Sequence, residues 1–389
     1  MSGADIIETV VVTDDLGRAV EDAARIAAGR IDPEAGAMMA AVRLQNPVGG
    51  DVLLLAIHHL ATDAVSWQIL FGDLAECGRM LSEGSVPGLG RVSTSYRRWT
   101  HALIERSGSE DVLAQQDFWI GQLAGPDPEI GERPPDPTVD DWSSLQTTDA
   151  HTTTEITGRV LGKLAGQDSG MREFLLTALT IAVTTWRTVN GQDNTGGALI
   201  ALEGHGREDV VVAGEVDTSE TVGWFTSVFP VRLGAGKPVD LDAVTRAPEV
   251  AVALLDSVTS HVGAIPRRGI DYGLLRHVER VAGLVDLADP QIEFNYLGRF
   301  DLSSAGATDN PRPWSAITDL ELNSHLPTAP EPELPLRYAL DVVAVVRGTA
   351  EGPQLVTSLR WSESLMNARQ ADDLAGIWQE SVAALARAL

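Results

Sequence analysis

The sequence predicts an α/β protein folded as two lobes. Its 389 residues are enough for two separate cores. Strand-length apolar runs alternate with helix-period segments along the whole chain, the pattern of mixed α/β folds. One proline-rich break, Gly125–Thr138, interrupts that pattern, with five prolines in fourteen residues. The polar stretch Asp140–Thr154 continues the break, so the lobe boundary is expected near Asp149, dividing residues 1–148 from 149–389.

In the first lobe, Ile6–Val12 reads as a strand and Arg18–Ala28 as an alanine-rich helix. Met38–Leu44 and Asp51–His58 read as successive strands, joined by the turn signal Asn46-Pro47-Val48-Gly49-Gly50. Helical periodicity covers Ala64–Leu81, Ser93–Glu105 and Ser109–Leu123, where Trp99, Leu103, Phe118 and Trp119 read as packing groups. In the second lobe, Thr153–Ile156 is expected to begin a strand, followed by helices over Arg159–Gly166 and Arg172–Val189. Ala198–Leu202 and Thr226–Leu233 are candidate central strands. Pro248–His261 reads as a helix with proline at its start, where the missing N–H matters least. Ile292–Tyr296 is a short strand, and Leu340–Arg347 with Leu355–Trp361 reads as an antiparallel pair. Ser364–Leu389 closes the chain as a helix, acidic early and with Arg387 late, as the helix dipole favours.

Fifty-five acidic residues against twenty-nine basic ones give a formal charge of -26. That field repels nucleic acid and anionic membrane, so neither is expected as a main partner. Cys77 is the only cysteine, which excludes a disulfide within the chain and any cysteine-based metal cluster. On its apolar helix it reads as a small buried residue, and no metal site is expected. The N-terminus lacks the basic and apolar regions of a signal peptide, and no run reaches transmembrane length. A cytoplasmic location is the expectation.

The most informative segment is Ile57–Gln68, IHHLATDAVSWQ. Two histidines close an apolar strand, and in a strand they would point to opposite faces. Histidine exchanges protons near neutral pH. Taken alone, the pair fits either a proton-transfer group or strand-end core histidines. Four further segments stand in order behind it: Leu202–Glu208 (LEGHGRE), Thr221–Leu233 (TVGWFTSVFPVRL), Pro266–Arg276 (PRRGIDYGLLR) and Phe294–Phe300 (FNYLGRF). Together the five resemble the ordered signatures of epimerization domains of nonribosomal peptide synthetases, within the condensation-domain superfamily. The histidine pair and aspartate are shared across the superfamily, whereas LEGHGRE, TVGWFTSVFPV and FNYLG point to the epimerization branch.

The resemblance implies a two-lobed, chloramphenicol-acetyltransferase-like condensation/epimerization fold with a central tunnel. A partner's 4'-phosphopantetheine would bring an aminoacyl or peptidyl thioester into that tunnel, and the reaction would invert its α-carbon. His59 stands at the position of the family's active histidine and Glu203 at that of its acidic partner, so these two are the expected catalytic residues. His58, Asp63, Ser66, His205, Arg207 and Tyr296 are expected in supporting roles. Ser66 is read either as a hydroxyl donor or as a helix cap, and Tyr296 either as tunnel lining or as packing. No cofactor is expected on this chain itself, and no cofactor-binding residue is assigned. The expected partner is a peptidyl carrier protein or synthetase module acting in trans, with a monomer sufficient for the site. The chain departs from the family pattern at Ala64, where a glycine is usual, and in the shorter segment before His58, so it reads as N-terminally shortened. With no adenylation or carrier region in the sequence, it is expected to be a stand-alone enzyme acting in trans, a remodelled relative or an excised domain. Arg30 is the candidate partner for Asp63. Condensation-type acyl transfer and a non-catalytic carrier-docking scaffold are the alternative functions.

Overall fold

A computed structural model describes residues 6–13, 15–166, 170–209, 216–300, 317, 320–327 and 331–389. The chain divides into two compact units, and both are discontinuous in sequence. The first comprises Met1–Arg97, Asp217–Phe225 and Ala305–Pro330; the second holds Arg98–Val216, Thr226–Ser304 and Glu331–Leu389.

The first unit is built on a three-stranded sheet in the order β1 (Ile7–Val11), β2 (Met39–Gln45), β3 (Val52–Ile57). β1 and β2 run parallel, connected through the helix Leu16–Ala28, while β2 and β3 form an antiparallel pair. Asp15 starts that helix by accepting the Arg18 N–H at 2.8 Å. Val20, Ala23, Ala24 and Ala27 recur at helical spacing and are buried with Val42, Leu44 and Leu54 of the sheet. The helix Ala64–Ser82 follows β3 and carries Cys77, which is partly buried. An apolar groove of about 610 Å³ opens within this unit, lined by Val20, Ala24, Leu54, Trp67, Phe71 and Leu326 among others.

The second unit contains a six-stranded sheet. Its strands are β4 (Leu145–His151), β5 (Ala198–Gly204), β6 (Ser227–Leu233), β7 (Ile292–Phe300), β8 (Leu340–Thr349) and β9 (Gly352–Ser362), in the order β4-β9-β8-β7-β5-β6. The central β5, β7 and β8 are parallel, and the outer pairings are antiparallel. Leu202, Phe294, Val342 and Leu359 are neighbours across the register and all are buried. They pack with Phe174 and Ile181 of the helix Met171–Val189 and with Trp378 of the helix Ala368–Ala388. The Met171–Val189 helix is buried on every side from Phe174 to Arg187, which its nearly unbroken apolar and threonine sequence permits. Trp99 and Trp119 are buried, and Leu103 and Phe118 pack against the same core, as expected of packing groups.

Three expectations are corrected here. Gly125–Thr138 is not a free connection between lobes. Arg187, fully buried, pairs with Asp127 at 2.6 Å; Ile130 is buried; Arg133 pairs with Asp140 at 2.6 Å. The prolines exclude regular structure, but charge pairing and one apolar anchor hold the segment on the second unit. The polar stretch before Thr153 is not loop either. It forms β4, which pairs with β9 over all seven of its residues, and Asp149 lies inside that strand. As a sheet-edge strand it can be polar. Thr153 then caps a helix, Thr154–Leu164, by accepting the Ile156 N–H at 3.3 Å, so no strand begins there.

Candidate active site

In the first unit, β3 ends at Ile57, one residue before the histidine pair. His58 does not continue the strand. Its Nδ1 accepts the Leu60 N–H at 3.1 Å and its carbonyl accepts the Ala61 N–H at 2.9 Å, closing a 3₁₀ turn over His59–Ala61. The two histidines are therefore separated by a turn rather than by strand alternation, which corrects the opposite-face expectation. His58 holds the turn; His59 is exposed on it. The His59 ring meets Trp224 edge-on, with centroids 5.5 Å apart and planes at 65°. Trp224 belongs to the TVGWF segment.

Asp63 is only 4% exposed, and its two oxygens have separate duties. Oδ1 caps the helix Ala64–Ser82 by accepting the Ser66 N–H at 2.7 Å; Oδ2 accepts the Phe225 N–H at 3.1 Å. Ser66, fully buried, completes the clamp: its hydroxyl donates to the Gly223 carbonyl at 2.9 Å and accepts the Gly223 N–H at 3.1 Å. Of the two readings of Ser66, the helix cap does not hold, and the hydroxyl does donate, though to backbone. Asp63 is the cap, and the Ser66 hydroxyl is engaged with backbone. Tyr96 extends the clamp, donating its hydroxyl proton to the Trp224 carbonyl at 2.7 Å. A Cβ on Gly223 would lie 2.4 Å from the Tyr96 ring, so the close approach requires glycine. Ala64 opens its helix without positive φ and is exposed, so its methyl group is accommodated. Arg30 forms an ion pair with Glu8 at 3.8 Å. Ser66→Ala is expected to destabilise the protein by about 1–3 kcal/mol, because both polar groups of Gly223 lose a buried partner. Denaturant unfolding measures it, and a loss below about 0.5 kcal/mol would contradict the clamp.

Glu203 lies in the second unit, one residue before the end of β5. It is half-buried and accepts a hydrogen bond from the Asn295 amide of β7. Glu293 also reaches the Glu203 carboxyl. Burial, then the charges of Asp341 and Glu203, push the Glu293 carboxyl up to about 9. Asp341 is raised too, chiefly by burial, against the pull of Arg360 at 3.2 Å. The Tyr338 phenol is raised by burial first and by the charge of Glu293 second. Tyr296 follows Asn295 in β7 and so faces the other side of the sheet, where it packs against the core. Of its two expected roles, packing is the one observed. His205 is exposed; its Nδ1 accepts the Arg207 N–H at 3.1 Å and its Nε2 lies 3.4 Å from Glu208. Glu208 also faces Arg268 at 3.7 Å, so His205, Arg207 and Glu208 brace the turn after β5.

The sequence-predicted residues thus divide between the units, His58, His59, Asp63 and Ser66 in one and Glu203, His205, Arg207 and Tyr296 in the other, with Tyr296 on the opposite face of its strand from Asn295. Sequence reading missed Trp224, Asn295 and Glu293 as site residues. Glu293 did leave a signal, as the lone acid of the strand IEFNYLGRF, set between the apolar Ile292 and Phe294. Among the described residues, no group of three or more His, Cys, Asp or Glu is arranged to hold a metal ion, and no helix is long and apolar enough to cross a membrane.

A condensation-domain family model matches residues 6–350. Surfactin synthase subunit 1 of Bacillus subtilis (strain 168) is 31% identical over 343 residues, 85% of this chain and 8% of that protein. Tyrocidine synthase 1 of Brevibacillus parabrevis is 29% identical over 351 residues, 88% of this chain and 30% of that protein. The chain therefore spans less than a third of the length of either relative. Among solved structures, the epimerization domain from the third module of tyrocidine synthetase B superposes with a TM-score of 0.77 at 25% identity, covering 98% of this chain and 80% of that one. The X-domain from teicoplanin biosynthesis shares the fold, with a TM-score of 0.64 at 18% identity over 98% of this chain and 78% of that one.

Proposed function

The chain belongs to the condensation-domain family, and from that premise we propose that it epimerizes the α-carbon of an aminoacyl or peptidyl thioester carried on a partner's 4'-phosphopantetheine. The observation that carries this reading is the likeness to a solved epimerization domain along nearly the whole chain. His59 and Glu203 are the proposed acid/base pair. A thioester acidifies its α-hydrogen by delocalising the resulting charge into an enolate-like state. Inversion then needs one group to remove the proton from one face and another to return a proton to the opposite face. Neutral His59 takes the proton in one direction while protonated Glu203 supplies its replacement; the reverse direction exchanges their roles.

The partner is a carrier protein or synthetase module, and the location is the cytoplasm. The reading is tested by incubating the protein with loaded carriers in deuterated water, followed by chiral analysis after thioester release. Deuterium at the α-carbon and both stereoisomers from either starting configuration are the expected result. Absence of exchange with a verified cognate carrier would refute it. A new amide or ester without α-exchange, when an acceptor is supplied, would identify acyl transfer instead. Carrier binding with no chemistry would identify a docking scaffold.

A further inference from the structure

We propose that Glu293 is a positioning residue for Glu203, the two carboxyl groups sharing one proton across β5 and β7 so that Glu203 can either give or accept a proton. The inference rests on the acid/base role proposed for Glu203. Its geometric basis is the parallel register, in which Ala201 pairs with Glu293. Glu203 lies two residues beyond Ala201, and residues two apart share a sheet face. Glu293 is therefore on the same face and reaches the Glu203 carboxyl. Asn295, two residues beyond Glu293, is on that face as well, and its amide donates to Glu203. The register continues from Glu293 to Asp341 and from Asp341 to Arg360. Three carboxyl groups from three adjacent parallel strands thus lie on one face.

The surrounding charges favour a retained proton. Arg360 is joined to Asp341, and Arg337 is 3.7 Å from Asp289. Asp341 and Glu203 both repel an ionised Glu293, Arg337 only partly opposes them, and the Tyr338 phenol adds no positive charge. Two carboxylates held together cannot both ionise readily, so the pair keeps one proton near neutral pH. A singly protonated pair is amphoteric. When Glu203 donates to the carbanion, a C–H bond forms, the pair becomes a dianion and a solvent proton restores it. When Glu203 accepts the α-proton, the C–H bond breaks, the pair becomes neutral and one proton leaves to solvent.

The test combines a titration with a rate profile. Carbon-13 at the glutamate Cδ positions lets each carboxyl titration be followed by NMR, with the Glu293 resonance identified by its loss in Glu293→Gln. Its midpoint is expected well above that of the ordinary glutamates, and to fall by about one unit or more in Glu203→Gln, where the like charge is gone. A Glu293 midpoint in the ordinary carboxylate range, or one indifferent to Glu203→Gln, overturns the proposal whatever the protein's activity. In the exchange assay, Glu293→Gln is expected to move the alkaline limb to lower pH, because Glu203 alone loses its proton earlier. The rate then falls at least about tenfold near pH 8 and distinctly less near pH 6, in kcat rather than KM. A role in shape alone would be rescued by the isosteric glutamine, leaving a parallel profile, and that result also overturns the proposal. Failure of exchange in the unaltered protein would instead count against the epimerase reading, while the NMR arm still decides whether the proton is shared.

Discussion

His59→Ala is expected to lower inversion of a carrier-bound thioester by about 10²–10⁴-fold, the range that a positioned acid/base group contributes. Glu203→Gln is expected to cost a comparable factor. The two losses should differ in kind. With one base removed, the other can still take the α-proton from the configuration that faces it and return solvent hydrogen to the same face. Each variant should therefore wash out the α-hydrogen of one stereoisomer without inverting it, and the preferred stereoisomer should be opposite for the two. Mass spectrometry of the released acid, paired with chiral separation, distinguishes exchange from inversion. Neither substitution is expected to unfold the protein: His59 is exposed on its turn, and glutamine preserves an oxygen to accept the Asn295 amide. Normal inversion in both variants would refute the assignment of the pair.

Gly269→Ala is expected to produce a large loss of stability, about 2–4 kcal/mol. Gly269 has φ +84, and a Cβ there would lie 2.1 Å from the ring of Phe229. Phe229 is 4% exposed and pairs with Leu202, the residue before Glu203, so the ring cannot move away without disturbing β5 and β6. The two preceding residues, Arg267 and Arg268, already adopt positive φ of 45° and 53°, leaving the turn little freedom to relax. Gly273, four residues on in the same RRGIDYG segment, is the control. It has helical backbone and open space where a Cβ would stand, so Gly273→Ala is expected to be neutral or mildly stabilising. Denaturant midpoints for the two variants should move apart. Equal effects would show that the turn does not depend on glycine at 269.

Local signals were strongest where one periodicity operates over many residues. The alternation of apolar strands and helices was legible, as were the helix read over 172–189, the antiparallel pair β8–β9 and the packing tryptophans Trp99 and Trp119. The order of the five motifs was legible because each is a short, contiguous string, and the family match bears out the membership they implied. Element ends were harder. β4 is polar because it lies at a sheet edge, and nothing in LQTTDAH marks a strand until β9 supplies its seven partners. The turn at His58 likewise depends on a side chain accepting a backbone N–H two residues later, a competition with the strand that periodicity does not reveal.

By itself, then, the sequence determined the α/β class, the family and the identities of His59 and Glu203 as candidates, because residue types and short spacings are local properties of the chain. Beyond the local cap that Asp63 gives Ser66, the contacts of Asp63 Oδ2 and of the Ser66 hydroxyl were decided only by tertiary structure, which brings a segment some 160 positions away onto them. The setting of Glu203 was decided in the same way. Asn295 and Glu293 reach it because β5 and β7 are neighbours in the sheet though about ninety residues apart in the chain. Whether a carboxyl group holds its proton depends on burial and on the charges beside it, and both are set by strand order and register rather than by the adjoining sequence.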